Sequence, residues 1–207
     1  MSNDIAMFTR ALTMKEYLAQ RKNPINEVID LRGFYYQEGD EIDFGSLDQT
    51  LMPGFSKEEA VMVLQQLAEL EIHSIEQPIK AGHLNDMAEL CAATPTPIAL
   101  DEELIGITDL EEKKKLLEII KPQYIILKPA LVGGFAGSDE WISLAEAQHI
   151  GWWITSALES NIGLNAIAQY TFTKQNPMPQ GLGTGALFVN NFESSLDLRN
   201  ELLWFKK

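Results

Sequence analysis

The stretch YIILKPALVGG, residues 124–134, indicates the fold class of this chain. Its first four residues are apolar without interruption, which is typical of a strand that is covered on both faces of a parallel sheet. Lys128 comes directly after this strand. An amine at the end of a buried strand costs free energy unless it has a partner or a chemical task. Lys128 is therefore a candidate functional residue.

The segments that flank this strand alternate between helical and strand patterns. Ser56 with Glu59 has the form of a capping box, and apolar residues follow at helical spacing. Further helices are predicted from Asp86 to Cys91, from a cap formed by Thr108 with Glu111 to Ile120, from Ser138 towards Ile150, and from near Asn161. Strands are predicted over residues 72–76, 98–101, 124–128 and 152–158. Strands and helices that alternate over short connections predict a parallel sheet and an α/β fold.

Residues 1–55 carry weaker patterns than the remainder of the chain. A helix is predicted over residues 4–20 and a strand over 28–31, and a loop or hairpin that contains Gly39 follows. The expected organisation is an N-terminal segment, residues 1–55, which is a candidate source of further strands, and a strand–helix region, residues 56–207. No low-complexity segment or linker marks a boundary between them.

Composition excludes several functional classes. The 207 residues carry a formal net charge of −14, and the basic run at 113–115 follows two glutamates in a helical pattern. We interpret that run as a solvated helix face and expect no nucleic-acid partner, because phosphate backbones are bound by clustered Lys and Arg. The single cysteine, Cys91, excludes an internal disulfide and fits a reducing compartment. No apolar stretch is typical of a signal peptide or a membrane span, so we expect a cytoplasmic location and no membrane partner.

Polar side chains follow each predicted strand at the point where the strand ends. Glu76, Asp101 and Lys128 end the first three strands, at intervals of 25 and 27 residues. The fourth strand ends near Ser156 and leads to Glu159, which lies 31 residues after Lys128. Each interval is about as long as one strand–helix unit. We therefore expect these side chains at the edge formed by the carboxyl ends of the strands, where the active sites of parallel barrels lie.

Two carboxylates and an amine at one edge predict a metal-assisted reaction. Converging carboxylates repel each other unless a cation lies between them, and oxygen ligands favour a hard ion such as Mg²⁺. A lysine beside that ion loses its proton more readily, since nearby positive charge and partial burial both disfavour the ammonium. Lys128 is then an acid/base group that faces a metal-bound substrate. A single acidic residue at a strand end is more often a helix cap or a surface charge, so the prediction depends on the joint pattern.

Two glycine-containing stretches have two open interpretations. Gly133 with Gly134, and the stretch GLGTG at residues 181–185, are either simple turns or sites where backbone N–H groups approach an anionic substrate. Neither is a complete dinucleotide or P-loop fingerprint. The three histidines are scattered and lack the spacing of metal ligands.

Five motifs occur together in one order: SIEQPI (74–79), IALDEEL (98–104), YIILKPALVGG (124–134), WWITSALESNIGLNAIAQ (152–169) and GLGTGALF (181–188). In this order they closely resemble the barrel of the enolase superfamily, and specifically its o-succinylbenzoate synthase family. The resemblance covers roughly residues 55–190. It implies an α/β fold of the TIM type, incomplete at this length and without the capping domain that precedes the barrel in this superfamily.

The resemblance also implies a reaction and roles for individual residues. Members of this family catalyse a Mg²⁺-dependent syn-dehydration of a small anionic carboxylate through an enediolate, a step of menaquinone biosynthesis. By resemblance, Glu76 and Asp101 match two metal ligands, and Lys128 matches the lysine that stabilises the enediolate through its charge. Two segments resemble those that line the substrate pocket in this family. They predict the following substrate-binding residues: Gly133, Gly134, Ser156, Ala157 and Glu159.

Two motifs of the family differ from the corresponding sequence of this chain. The first metal ligand of the family is an aspartate before a Gly/Ala-Phe-Ser turn, and Asp48 is the candidate here, 28 residues before Glu76. The family's Lys-x-Lys motif, whose second lysine removes the proton, corresponds to Asp30 and Arg32. Arginine is a poor base because its guanidinium stays protonated.

Three functional hypotheses follow from this pattern. The first is o-succinylbenzoate synthase-like lyase chemistry with Mg²⁺ held by Asp48, Glu76 and Asp101. The second keeps the site but racemises N-acylated amino acids, a reaction that needs two opposed bases. The third is an inactive relative that only binds a metal ion or an anion. The oligomeric state stays open.

Overall fold

The computed structural model describes residues 55–183, 190–199 and 202–206, together with the backbone of residues 6–8. In chain order the strands are β1 (Ala6–Phe8), β2 (Ile75–Glu76), β3 (Ile98–Leu100), β4 (Tyr124–Leu127), β5 (Gly151–Ile154), β6 (Leu196–Arg199) and β7 (Leu202–Phe205). The helices are α1 (Lys57–Ala68), α2 (Leu84–Ala93), α3 (Leu110–Ile120), α4 (Gly134–Ala147) and α5 (Asn161–Lys174), and a 3-10 turn spans Glu102–Leu104. None of the described helices is long and apolar enough to cross a membrane.

The larger of the two sheets is parallel and follows chain order. Its strands are arranged β2, β3, β4, β5, and a helix lies between each strand and the next. Beyond β5, Thr155 and Gly181 form an isolated parallel bridge, so the chain after α5 runs alongside the next edge position. The smaller sheet is antiparallel, with β7 between β1 and β6. The parallel α/β sheet expected from the strand and helix patterns is therefore confirmed.

Several element boundaries differ from the sequence-based expectation. The capping box of Ser56 with Glu59 is present, and Ser160 caps α5 as its position before Asn161 indicates. Helix α3 is capped by Asp109, whose carboxylate accepts the Glu112 N–H, rather than by Thr108. Residues 6–8 form a strand, so the predicted helix over 4–20 is wrong there, and the predicted strand at 28–31 lies outside the described residues.

Helix α4 begins four residues earlier than predicted, at Gly134 rather than Ser138. Gly133 occupies the cap position with φ of 98°, a left-handed conformation that glycine adopts without a steric penalty. The turn before it is closed by the Leu131 and Val132 N–H groups, which donate to the Lys128 carbonyl at 2.7 and 3.1 Å. The two glycines therefore bring the chain from the end of β4 directly into a helix.

The two faces of the larger sheet differ in character. Side chains alternate between the faces of a strand. One face contributes buried side chains to the hydrophobic core that the helices also line: Ile75, Ile98, Leu100, Ile125, Leu127, Trp152 and Ile154. Ala99 and Ile126 lie between these residues and belong to the opposite face. Continuing the same alternation puts Glu76, Asp101 and Lys128 on that opposite face.

Helices α3 and α4 are joined by a buried lysine, Lys113. The interpretation of residues 113–115 as a solvated face is therefore wrong for Lys113, whereas Lys114 and Lys115 are exposed as predicted. The Lys113 side chain is 1% exposed, and its Nζ lies 2.7 Å from Glu140 Oε2 and 3.3 Å from the Gly137 carbonyl oxygen. The ammonium also lies over the Trp141 ring, 5.4 Å from its centroid. Gly137 is required by the preceding turn rather than by the lysine, because a Cβ there would lie 2.2 Å from the Val132 carbonyl oxygen but 3.6 Å, an ordinary contact distance, from Lys113 Nζ.

Replacing Lys113 with alanine is expected to destabilise the fold, whereas the same change at the half-exposed Lys114 is not. The Lys113 variant loses a buried aliphatic stem and its packing on Trp141, a loss of about 2 kcal/mol or more in the free energy of unfolding. Lys114→Ala should stay within about 0.5 kcal/mol of the parent. Denaturant unfolding followed by circular dichroism measures both, and equal midpoints for the two variants would contradict the structural role of Lys113.

Candidate functional site

Side chains from the ends of β2, β3 and β4 meet at one point. Lys128 Nζ forms an ion pair with Asp101 Oδ2 and lies 3.8 Å from Glu76 Oε1. Glu102 joins them: one carboxylate oxygen from each of Glu76, Asp101 and Glu102 lies within 4.8 Å of the others. The predicted convergence of Glu76, Asp101 and Lys128 is therefore present, on the sheet face opposite the helix-lined core.

The strand register explains why these residues meet. Glu76 pairs with Ala99 in the ladder, and Leu100 pairs with Ile125, so Asp101 and Lys128 follow at successively later positions on neighbouring strands. The last N–H that β2 donates to β3 is that of Gln77, which bonds to the Ala99 carbonyl at 2.9 Å. The ladder between the two strands thus ends one residue after Glu76, whose side chain lies at the edge of the sheet.

Burial and negative charge raise the pKa of two carboxyl groups in this cluster, those of Glu76 and Glu102. The Glu76 side chain is 53% exposed, whereas that of Asp101 is 2% exposed. Partial burial, followed by the hydrogen bond with Asp101 and the charge of that carboxylate, raises the pKa of Glu76 to about 8. The pKa of Glu102 is also raised, by burial and by the nearby Asp101 charge. A pKa of about 8 favours the protonated form of Glu76 at pH 7, so a cation that binds this carboxylate competes with a proton.

The electrostatics of Lys128 depend on its anionic neighbours. Burial alone lowers the pKa of an ammonium, but the charges of Asp101 and Glu76 and the hydrogen bond to Asp101 outweigh burial, so the pKa of Lys128 is raised. The sequence-based expectation of a lowered pKa applied to a lysine beside a bound metal ion. In the metal-free chain, Lys128 is the cation that partly neutralises the cluster.

The chemistry of the donor set fits a hard divalent cation. Three carboxylates supply only oxygen donors, and Lys128 is the one ammonium that ion-pairs with Glu76 or Asp101 among the described residues. Mg²⁺ binds through one or two carboxylates together with water or substrate oxygens, so Glu76 and Asp101 suffice as a core of its ligands. The predicted third ligand, Asp48, lies outside the described residues.

The predicted substrate-binding residues lie at the same edge of the sheet. Gly133 and Gly134 connect β4 to α4 and are exposed. Ser156 and Ala157 follow β5 directly, and Ser156 is buried, with its N–H donating to the Gly181 carbonyl at 2.9 Å. Glu159 precedes the cap of α5, and its Oε1 is buried without a hydrogen-bond partner among the described residues. Their contact with a substrate stays a prediction.

Three residues of this site were not predicted from the sequence. Glu102 contributes a carboxylate to the cluster, and the side chains of Gln77 and Glu103 hydrogen-bond to each other at 3.0 Å just behind it. Two features of the sequence could have pointed to these residues. One is the acidic run Asp-Glu-Glu directly after a strand, and the other is the polar residue between Glu76 and Pro78. Only the folded chain shows which of these side chains turn towards the cluster.

A comparison with protein families agrees with this architecture. The model of the family described as enolase C-terminal domain-like matches residues 51–199 of the chain. The chain belongs to this family. The larger sheet and its helices are therefore part of an enolase-superfamily domain of the TIM-barrel type, as the motif order predicted.

Individual relatives within the enolase superfamily share the same region. An o-succinylbenzoate synthase from Desulfotalea psychrophila is 54% identical over 149 residues, which are 72% of this chain and 40% of that protein. The crystal structure of MenC from the same strain, LSv54, superposes with a TM-score of 0.71 at 53% identity, over 73% of this chain and 43% of that one. An N-succinylamino acid racemase from Thermus thermophilus is 37% identical over 100 residues, 48% of this chain and 26% of that protein. The chain thus spans less than half the length of these relatives.

Proposed function

We propose that the chain catalyses an o-succinylbenzoate synthase-like reaction, the Mg²⁺-dependent syn-dehydration of a cyclohexadiene carboxylate in menaquinone biosynthesis. The observation that supports this most directly is the Lys128 ammonium ion-paired with Asp101 and facing Glu76 at the carboxyl ends of parallel strands. The 54% identity to an o-succinylbenzoate synthase over the same region supports the choice of reaction. Enzymes of this superfamily combine a lysine or histidine base with Mg²⁺.

Each residue of the site has a distinct task in this proposal. Glu76 and Asp101, with Asp48 as the proposed third ligand, would hold the ion. When bound, Mg²⁺ would hold the substrate carboxylate and offset its growing negative charge. Lys128 presents a positive charge across from the carboxylates, where it stabilises the enediolate that forms when a base removes the proton next to the substrate carboxylate. The hydroxyl group then leaves as water, taking up the proton that the base had removed, and the aromatic ring is complete.

The substrate pocket is assigned to the loops at the same edge. Gly133 and Gly134 lead into the first turn of α4, where backbone N–H groups bind anions, although the Gly134 N–H itself donates to the Pro129 carbonyl at 2.8 Å. Ser156, Ala157 and Glu159 border the pocket from the β5 side. By resemblance the family's proton-abstracting lysine corresponds to Arg32, which is a poor base, so the identity of the group that removes the proton stays open.

The proposal is tested by incubating the chain with Mg²⁺ and the cyclohexadiene substrate and following the aromatic product by its ultraviolet absorbance. We expect product formation that stops when EDTA is added and resumes when excess Mg²⁺ is restored. A rate no higher than that of a Lys128→Ala variant would contradict catalysis by this site.

Racemisation of an N-acylated amino acid is the second candidate, because an N-succinylamino acid racemase is 37% identical over 100 residues. Racemisation needs bases on both sides of the reacting carbon, and the site as described offers Lys128 on one side. Incubation of N-succinylated amino acids in deuterium oxide distinguishes the reactions, since a racemase incorporates deuterium at the α-carbon with inversion. Mg²⁺-linked substrate binding without dehydration or exchange would instead support the inactive, ligand-binding alternative.

A further inference from the structure

Gln77 joins the two strand ends that carry the site. Its amide oxygen accepts the N–H groups of Asp101 and Glu103 at 3.1 and 3.4 Å. Its amide nitrogen donates to the Ile79 carbonyl at 3.1 Å and to Glu103 Oε2 at 3.0 Å. All four hydrogen bonds that this amide group offers are therefore made.

The backbone of Gln77 is strained. Its φ is 37°, in the left-handed region that residues with a Cβ adopt at a cost of about 1 kcal/mol or more. The Gln77 N–H nevertheless stays in the ladder, donating to the Ala99 carbonyl at 2.9 Å. The four side-chain hydrogen bonds offset that cost and keep the amide group turned towards β3.

Glu103 fixes the amide group of Gln77 in turn. The Glu103 residue is 6% exposed, and its second carboxylate oxygen accepts the Gly82 N–H at 2.9 Å. A buried carboxylate that loses either donor is costly, so Glu103 favours one rotamer of Gln77. The pair thereby ties the end of β2, the 3-10 turn after β3 and the loop at 79–82 to one another.

This pair stands directly behind the carboxylate cluster. Gln77 follows Glu76 in the chain, and its amide oxygen is bonded to the Asp101 N–H, so any movement of Gln77 changes the separation of the Glu76 and Asp101 carboxylates. Mg²⁺ demands oxygens at about 2.0 to 2.1 Å in near-octahedral geometry, so it is sensitive to such a change. We propose that Gln77, held by Glu103, is a positioning residue that sets the spacing of the Glu76 and Asp101 carboxylates for the cation; this rests on the proposed function.

The test compares Gln77 with a second glutamine, Gln123, which hydrogen-bonds at the opposite end of β3. Gln123, just before β4, accepts the Ile98 N–H at 2.9 Å and donates to the Cys91 carbonyl at 3.0 Å, away from the cluster. Gln77→Leu and Gln123→Leu make the same neutral, near-isosteric change. Isothermal titration calorimetry gives the Mg²⁺ dissociation constant of the full chain and of each variant, and thermal unfolding without Mg²⁺ gives their stability.

We expect Gln77→Leu to raise the Mg²⁺ dissociation constant about 10- to 100-fold, the usual range for residues that orient metal ligands. Gln123→Leu should lower the unfolding temperature while leaving the dissociation constant within about twofold of the parent. Should Gln77→Leu not fold, Gln77→Asn replaces it, because an amide shorter by one methylene cannot span the same partners and should weaken binding in the same direction.

The possible outcomes separate this inference from the proposed function. Equal Mg²⁺ affinity in the parent and the Gln77 variants, or an equal loss in the Gln77 and Gln123 variants, overturns the positioning role alone. A parent chain that binds no Mg²⁺ overturns the proposed function and the positioning role with it. A parent that binds Mg²⁺ tightly and loses affinity only on substitution of Gln77 supports the positioning role, even if the substrate is not dehydrated.

Discussion

Replacing Lys128 with alanine is expected to reduce the rate of dehydration about 10²- to 10³-fold, which is the usual loss when a preorganised charge at an oxyanion is removed. Lys128 is 22% exposed and ion-paired with Asp101, so its charge acts from a partly dehydrated position. Steady-state kinetics at saturating Mg²⁺ measures the effect as a lower kcat.

Two companion variants define what Lys128 contributes. Lys114→Ala removes a half-exposed lysine from α3 and should leave kcat unchanged. Lys128→Arg keeps the positive charge but cannot exchange a proton near neutral pH. Substantial activity in Lys128→Arg would assign the residue an electrostatic role, and activity as low as in Lys128→Ala would assign it proton transfer. Full activity in Lys128→Ala would remove Lys128 from the mechanism.

Replacing Asp101 with asparagine is expected to weaken Mg²⁺ binding more than about 100-fold, exceeding the loss typical of residues that only orient ligands. The Asp101 side chain is 2% exposed, so its charge is screened little by solvent, and an amide oxygen of the same shape supplies no compensating charge. Calorimetric titration of the parent and the variant with Mg²⁺ measures the difference directly.

Asp109→Asn is the matched control for this change. Asp109 caps α3, where asparagine is as good a cap as aspartate, so neither stability nor Mg²⁺ affinity should change appreciably. An Asp101→Asn variant that binds Mg²⁺ as tightly as Asp109→Asn would exclude Asp101 as a ligand.

Much of the fold and of the site follows from local sequence signals. The apolar run at 124–127 and the capping box at Ser56 identify a strand and a helix start without reference to distant residues. Glu76, Asp101 and Lys128 were predicted to meet because strands one βα unit apart end at one edge of a parallel sheet. Asp48, Asp30 and Arg32 lie outside the described residues, so their proposed roles stay predictions.

One error depends on a partner far along the chain, and the other depends on the geometry of a local turn. Lys113 shares the helical spacing of the buried Leu116, Leu117 and Ile120, but only the folded chain supplies the partner of its ammonium, Glu140, 27 residues later. Helix α4 begins at Gly134 because the turn after β4 is closed by hydrogen bonds to Lys128 and Pro129. No periodic pattern in the sequence identifies the Glu140 partner or the hydrogen bonds of this turn in advance.

The sequence by itself determined that the chain is a parallel α/β protein and that acidic and basic residues end neighbouring strands, because periodicity and strand-end position are local properties. The order of five motifs added the resemblance to the enolase superfamily. Tertiary structure alone decided that Glu102 joins the cluster and that Gln77 and Glu103 brace it. Those side chains were placed by hydrogen bonds across 24 to 26 residues of chain, such as that from Asp101 to Gln77. Bonds of that kind depend on the closeness of two strand ends after folding, which no single stretch of sequence encodes.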